Sequence, residues 1–179
     1  MKRILFITLI GIFLSCSGET SQTEIDIFDG RYDSLIFSQE SFEKIGFKFK
    51  KEYDVSELPD AENAYYGFWG ESSFERLSYE LRFYPSNQIA KLSGSFYADE
   101  ASGEDAVIKK SDATWKEGIK DRSGVEFYGS IMPIYLDYVI LGNMIVLCPS
   151  EKSTAVKDVW DPIENCRKML SKLPEIKSK

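Results

Sequence analysis

The chemistry open to this chain is limited first by a missing residue type, because its 179 residues include no histidine. Without an imidazole, Ser-His-Asp and Cys-His catalysis are excluded in their usual forms, as are the common zinc sites. The sequence also has no glycine-rich phosphate loop, S-x-x-K motif or nucleophile elbow. An enzyme would have to use carboxylates, lysine, tyrosine or a lone serine. We therefore expect a non-enzymatic protein that needs no cofactor.

The densest aromatic segment, residues 65–70, reads Tyr-Tyr-Gly-Phe-Trp-Gly. Aromatic rings on a loop offer flat surfaces for stacking on sugars, planar ligands or a partner protein. The rings alternate poorly for a strand, and the two glycines favour an irregular path. Tyr65, Tyr66, Phe68 and Trp69 are therefore candidate binding residues. The alternative is that these rings fill the core beneath a sheet, as aromatic side chains usually do.

Cationic side chains supply a second set of candidates. Trp115 with Lys120 or Arg122 suits an anionic ligand, whereas the alternative is a surface turn whose charges pair locally. Arg76 and Arg82 fall on the polar side of a predicted strand. They would bind a similar ligand if that face forms a cleft, and otherwise they keep a solvated sheet face soluble.

Carboxylates form the third set. Asp99, Glu100, Glu104 and Asp105 surround a glycine after a predicted helix, and oxygen-rich loops of this kind can hold Ca²⁺. Their spacing does not fit an EF-hand, and a charge cluster at a helix end is usually solvated, so we expect no metal. A small hydrolase acting on envelope glycans would need two carboxylates across a cleft. Glu71, Glu75 and Asp137 are among many candidates that the sequence does not distinguish.

The N-terminus has the composition of an export signal. Lys2 and Arg3 precede an apolar run over residues 4–14, which is too short to span a bilayer as a mature helix. The following Ser15-Cys16 completes a segment, Phe-Leu-Ser-Cys, that resembles the lipobox of bacterial lipoproteins. Its first two residues depart from the usual leucine and small residue. The alternative is an ordinary signal peptide that leaves a free secreted protein.

The resemblance implies that signal peptidase II removes residues 1–15 and that acyl chains on Cys16 anchor the protein to the bacterial cell membrane or outer membrane. Residues 16–24 then form the lipidated cysteine and a short polar tether, and residues 25–179 a single domain. In an exported protein the two remaining cysteines, Cys148 and Cys166, predict one disulfide. The alternative is a pair of buried free thiols.

Hydrophobic periodicity predicts an α+β fold, with a mostly antiparallel sheet, helices packed on one face, and a C-terminal hairpin followed by a helix. The predicted elements are a helix over 38–45, strands over 47–53 and 76–83, a helix after residue 86, a hairpin of strands 131–141 and 144–148, and a helix after 161–162. The Gly142-Asn143 pair indicates the tight turn of a hairpin central in the sheet. In the helix after Ser86 we expect Ile89, Leu92 and Phe96 to face inward.

The terminal order of strand, turn, strand, loop and helix also resembles, in topology alone, the end of small α/β-sandwich lipoproteins related to photosystem extrinsic subunits. This resemblance implies no site residues.

Together these features predict a lipid-anchored envelope protein that binds a small molecule or another envelope protein. The net charge of −7 argues against nucleic acid as a partner. The alternatives are the carboxylate-dependent hydrolase and a structural subunit of an envelope complex.

Overall fold

A five-stranded antiparallel sheet forms the centre of the protein. The computed structural model describes residues 26–127, 130–150 and 161–178; the predicted leader and tether lie outside them. The elements, in chain order, are α1 (Gln39–Lys44), β1 (Lys48–Tyr53), β2 (Asn63–Trp69), β3 (Leu77–Phe83), α2 (Asn87–Ile89), a π-helical segment (Ala90–Gly94), α3 (Ser95–Ala101), a 3₁₀ turn (Ile119–Asp121), β4 (Ser123–Phe127), β5 (Ser130–Pro133), β6 (Tyr135–Leu141), β7 (Met144–Pro149), α4 (Pro162–Leu170) and α5 (Pro174–Lys177). The strand order is β1-β2-β3-β7-β6, and β4 and β5 form a separate two-stranded sheet.

The predicted hairpin is present as β6 and β7, joined at Gly142-Asn143. Gly142 has φ +53°, a conformation that glycine adopts without steric cost. The buried Asn143 side chain fixes the turn by donating to Tyr84 O at 2.9 Å and accepting from Phe37 N at 2.7 Å. Every residue of β7 is buried and the strand is interior, as expected, whereas β6 forms an edge of the sheet.

The first face of the sheet carries the main apolar core. Pro162 begins α4 after the capping residue Asp161, and Cys166, Met169 and Leu170 are buried, as the periodicity predicts. They pack against Met144, Val146 and Cys148 of β7. α1 also packs here, through Phe42.

The second face is covered by α2, the π-helical segment and α3. Because side chains alternate along β7, its Ile145 and Leu147 point to this face, where they pack with Ala90 and Ala98. The α+β class is confirmed, and helices cover both faces of the sheet rather than one. Among the described residues, no helix has the length and apolar character needed to cross a bilayer.

Of the three residues after Ser86 that were predicted to face inward, only Ile89 packs against the core of the second face. Leu92 and Phe96 are 72% and 59% exposed, while Gly94 faces the sheet. The sheet presents large side chains at this point, and only small residues leave room for them. A Cβ on Gly94 would lie 2.5 Å from the Tyr84 hydroxyl and from Ile145 Cδ1.

Candidate functional site

The aromatic segment forms β2, a regular strand between β1 and β3, so the predicted irregular path is wrong. Tyr65 and Trp69 are buried in the core of the first face, where the Trp69 indole donates to Ile45 O at 3.1 Å. These two rings therefore cannot form an exposed binding surface. Tyr66 and Phe68 are half-buried, with ring centroids 5.2 Å apart. Of the four aromatic rings in residues 65–70, those of Tyr66 and Phe68 remain partly accessible.

The polar side of β3 is buried as completely as its apolar side. Glu80 and Arg82 are both 0% exposed, and the Arg82 Nε donates to Glu80 Oε1 at 2.7 Å. Arg122, 2% exposed, donates to both Glu80 oxygens, at 2.8 and 3.0 Å. The expectation that Arg82 lies on a solvated face or in an open cleft is therefore wrong. We call Glu80, Arg82 and Arg122 the ionic cluster.

Trp115 covers the ionic cluster. Its ring lies 5.1 Å from the guanidinium carbon of Arg82 and 4.9 Å from that of Arg122. It is 1% exposed, and its indole donates to Asp54 O at 3.2 Å. The sequence pattern thus brought Trp115 and Arg122 together correctly, but their contact is internal. Cation–π attraction of this kind is strongest where the cation is desolvated.

The electrostatics of the ionic cluster favour its charged form. Burial raises the pKa of Glu80, but the two guanidiniums lower it further, so the net pKa lies below its ordinary value. Burial lowers the pKa of Arg122, and Glu80 more than offsets this, leaving the pKa raised. Burial also raises the pKa of Tyr135 and of Tyr84, the latter to about 12. At neutral pH the ionic cluster therefore holds two positive charges and one negative charge.

A cleft of about 100 Å³ opens beside the ionic cluster. We call it the lysine cleft, because it is lined by Lys51, Lys110, Lys116 and Lys120. Glu117 and Gly118 also line it. Lys51 pairs with Asp121 at 3.0 Å, whereas no ion pair of the other three lysines is found within the described residues.

Gly118 separates the lysine cleft from the ionic cluster. Its φ is +70°, and a Cβ there would lie 2.9 Å from the Tyr53 ring and 3.1 Å from Arg122 Nη2. Lys51 is paired across the sheet with Tyr66, so the half-buried aromatic pair adjoins the cleft. Sequence reasoning singled out Lys120 of this cleft for an anionic ligand but missed the assembled site, because β1 brings Lys51 to lysines about sixty residues further along the chain.

Residues 38–175, more than three quarters of the chain, match the model of a family of unknown function, DUF6810. The chain belongs to DUF6810. The matched range contains the ionic cluster, the lysine cleft and both Cys148 and Cys166. No curated protein matches the chain. No solved structure matches it either.

A second groove of this DUF6810 domain, about 510 Å³, lies at the edge of the first face and is lined by Lys44, Glu71, Lys172 and Lys177, among others. Glu71 pairs with Lys168 at 3.2 Å and with Lys172 at 2.8 Å. Hydrogen bonds from Lys172 and then Lys168 lower the pKa of Glu71. The cations of this groove are therefore partly neutralised.

Glu71 is the one of the three named hydrolase candidates that lines the larger groove, so no two of them face each other across it in the described part of the chain. Glu71 and Glu75 both line a cavity of about 20 Å³, which is roughly the space of one water molecule. Asp137 lies on the edge strand β6 and accepts from the Tyr138 backbone at 2.7 Å. A glycan ring therefore has no room between Glu71 and Glu75.

The acidic residues after α3 make separate contacts. Asp99 accepts from the Tyr138 hydroxyl at 2.8 Å, and Glu100 accepts from the backbone and hydroxyl of Thr114 at 2.9 and 2.5 Å. Glu104 and Asp105 are exposed. In the described parts of the chain, no three His, Cys, Asp or Glu side chains are grouped for a metal ion. Glu100 instead fastens the loop that leads to Trp115.

The two cysteines of the domain form the predicted disulfide. It joins Cys148 at the end of β7 to Cys166 on the inner side of α4, with the Cα atoms 5.5 Å apart. Both residues are fully buried in the first core. The disulfide therefore ties the last strand to the last helix and offers no reactive thiol.

Proposed function

We propose that this protein is an exported bacterial lipoprotein whose domain binds an anionic ligand or partner at the lysine cleft. Acyl chains on Cys16 hold it at the cell membrane or outer membrane, and the polar tether lets the domain stand away from the lipid. Its action is binding and presentation.

The leader and the disulfide together support export. The segment Phe13-Leu14-Ser15-Cys16 follows an apolar run and resembles the lipobox that signal peptidase II processes, with Phe13 and Leu14 in place of the usual leucine and small residue. Disulfides persist in oxidising compartments such as the periplasm and are rare in the cytosol. The buried link between Cys148 and Cys166 fits the compartment that the leader implies.

The lysine cleft is the observation that carries the binding proposal. It gathers four lysines and one glutamate on a chain whose net charge is −7. Like charges gathered at one point repel each other, and an anion bound among them relieves that repulsion. A volume of about 100 Å³ suits one anionic group, such as a phosphate or a carboxylate, rather than a whole ligand.

The neighbouring aromatic pair gives the cleft its second component. The rings of Tyr66 and Phe68 lie next to Lys51 and Lys48, their partners across β1 and β2. A ligand whose anionic group enters the lysine cleft can therefore place an apolar or sugar face on these rings. Anionic envelope glycans and acidic protein segments both have this chemistry.

Metabolic labelling with a palmitate analogue tests the anchor. We expect label on the full chain and none on Cys16→Ser. The control is the double variant Cys148→Ser/Cys166→Ser, which lacks the disulfide cysteines and should keep its label. Label that persists on Cys16→Ser, or none on the unaltered chain, would reject the lipid anchor.

Fluorescence anisotropy with labelled polyphosphate, and separately with labelled polyglutamate, tests the cleft on the full-length protein in detergent. We expect Lys116→Glu to weaken binding of the preferred probe about tenfold, because opposite charges inside a cleft interact more strongly than on open surface. The matched control is Lys109→Glu, which makes the same charge change at an exposed residue outside the cleft. An equal loss in both variants would show non-specific attraction and reject the site.

A further inference from the structure

Among the described residues, the ionic cluster holds one more positive than negative charge inside the protein. Arg82 and Arg122 share the single carboxylate of Glu80, and all three residues are at most 2% exposed. A buried charge without a counter-charge is costly, because the interior solvates it far less well than water does. The nearby Asp121 does not balance it, since that carboxylate pairs with Lys51 at 3.0 Å.

Only part of the Arg82 guanidinium is bonded to Glu80. Its Nε is bonded to Glu80, but its Nη1 and Nη2 have no hydrogen-bond partner in the described protein. The hydroxyl of Tyr84, two residues along the same side of the sheet, is also buried, and the Arg82 guanidinium is its neighbour. These groups lie close enough for the guanidinium to lower the pKa of Tyr84 against the larger, raising effect of burial.

The chemistry of these groups selects an anion. The guanidinium has only donors, and a phenol whose pKa is raised to about 12 remains protonated and can donate as well. The Trp115 ring lies 5.1 Å from the guanidinium carbon and Nε is bonded to Glu80, so the two Nη atoms are the donors left for a ligand. A cation or a pure donor would have no acceptor there.

The helix above this point limits the size of the ligand. Gly94 ends the π-helical segment, and even a methyl group there would lie 2.5 Å from the Tyr84 hydroxyl. π-helical turns are rare and occur frequently at functional sites. The backbone at Gly94 therefore lies close to the Tyr84 hydroxyl and leaves no room for a group as large as phosphate on that side of it.

We propose that a monovalent anion of the size of chloride binds inside the domain, held by Nη1 and Nη2 of Arg82 and the hydroxyl of Tyr84. It completes the charge balance of the ionic cluster. The site is separate from the lysine cleft, and it does not depend on the lipid anchor or on the external ligand.

Thermal unfolding of the full-length protein tests this site by comparing chloride or bromide with gluconate at equal ionic strength. We expect the melting temperature to rise and saturate with the halides, and to change little with gluconate. Tyr84→Phe should weaken the apparent halide affinity at least tenfold. Both tyrosine variants used here lose only one hydroxyl and keep the buried ring, so both should fold.

Tyr135→Phe is the matched control, because Tyr135 is equally buried but its hydroxyl lies beside Ser78 and not Arg82. It should keep the full halide response. Crystals grown in bromide should show an anomalous peak between Arg82 and Tyr84. No halide-specific rise, an undiminished rise in Tyr84→Phe, or a water molecule without anomalous signal at that position would each overturn the proposal.

Discussion

Removal of the charge on Glu80 should destabilise the domain more than any other single loss of charge described here. In Glu80→Gln, two guanidiniums that are at most 2% exposed lose their shared carboxylate. Three hydrogen bonds of 2.7, 2.8 and 3.0 Å become weaker or are lost. At least one Gln orientation also points an amide donor at an arginine donor.

The expected loss can be worked out in two ways. Three charge-assisted hydrogen bonds at about 1.5 kcal/mol each give roughly 4.5 kcal/mol. Breaking a buried ion pair by removing one partner costs about 3–5 kcal/mol, because an unpaired charge is left behind. The two values agree, and they approach the whole stability of a small domain, which is about 5–15 kcal/mol.

Urea unfolding followed by tryptophan fluorescence measures this loss, since Trp115 lies directly over the ionic cluster. The control Glu57→Gln removes an exposed carboxylate and should change the free energy of unfolding by less than about 0.5 kcal/mol. If Glu80→Gln also lowers the free energy of unfolding by less than about 1 kcal/mol, its effect is that of an ordinary mutation. The ionic cluster would then not stabilise the fold.

The pH dependence supplies an independent check on the same variant. The folded-state pKa of Glu80 lies below its ordinary value of 4.5. Its stabilising contribution is therefore fully present above that value and is lost as the pH falls through the folded-state pKa. The difference in stability between the unaltered protein and Glu80→Gln should be constant near neutral pH and shrink under acid conditions. A difference that grows as the pH falls would contradict the sign.

Two further perturbations test the packing on each side of the sheet. Replacing both Cys148 and Cys166 with alanine removes a disulfide between residues with a sequence separation of 18. The free energy of unfolding, measured in urea, should fall by about 3 kcal/mol. An unchanged midpoint would show that the disulfide does not stabilise the domain. Gly94→Ala places a methyl group 2.5 Å from the Tyr84 hydroxyl. The free energy of unfolding, measured by calorimetry, should fall by about 1–3 kcal/mol. An unaltered melting temperature would mean that the helix shifts to make room at no cost.

Local patterns predicted most of the secondary structure. The hairpin turn at Gly142-Asn143, the cap and proline that begin α4, and the strand β3 all depend on short-range rules, and each is present. The segment that became β2 was misjudged, because its two glycines suggested irregularity. In the sheet, Gly67 instead leaves space for the ring of Phe47, which a Cβ at that residue would meet.

The candidate sites were less accessible to sequence reasoning, because an alternating strand pattern does not say which face is wet. Arg82 and Glu80 look like solvent-facing residues of an antiparallel strand, yet a second layer covers them. That layer comes from α2, α3 and the loop bearing Trp115, and its position depends on contacts between distant segments. The same long-range packing assembles the lysine cleft around Lys51.

By itself, the sequence determined the α+β class, the absence of imidazole chemistry and the pair of cysteines that form the disulfide, because each depends on composition or on short-range periodicity. Only the tertiary structure decided which residues are accessible. Tertiary packing buries Trp69, Arg82, Trp115 and Arg122 in the interior. It leaves the lysine cleft at the surface. The physical reason is that burial depends on what packs over a residue, and a single strand or loop does not carry that information.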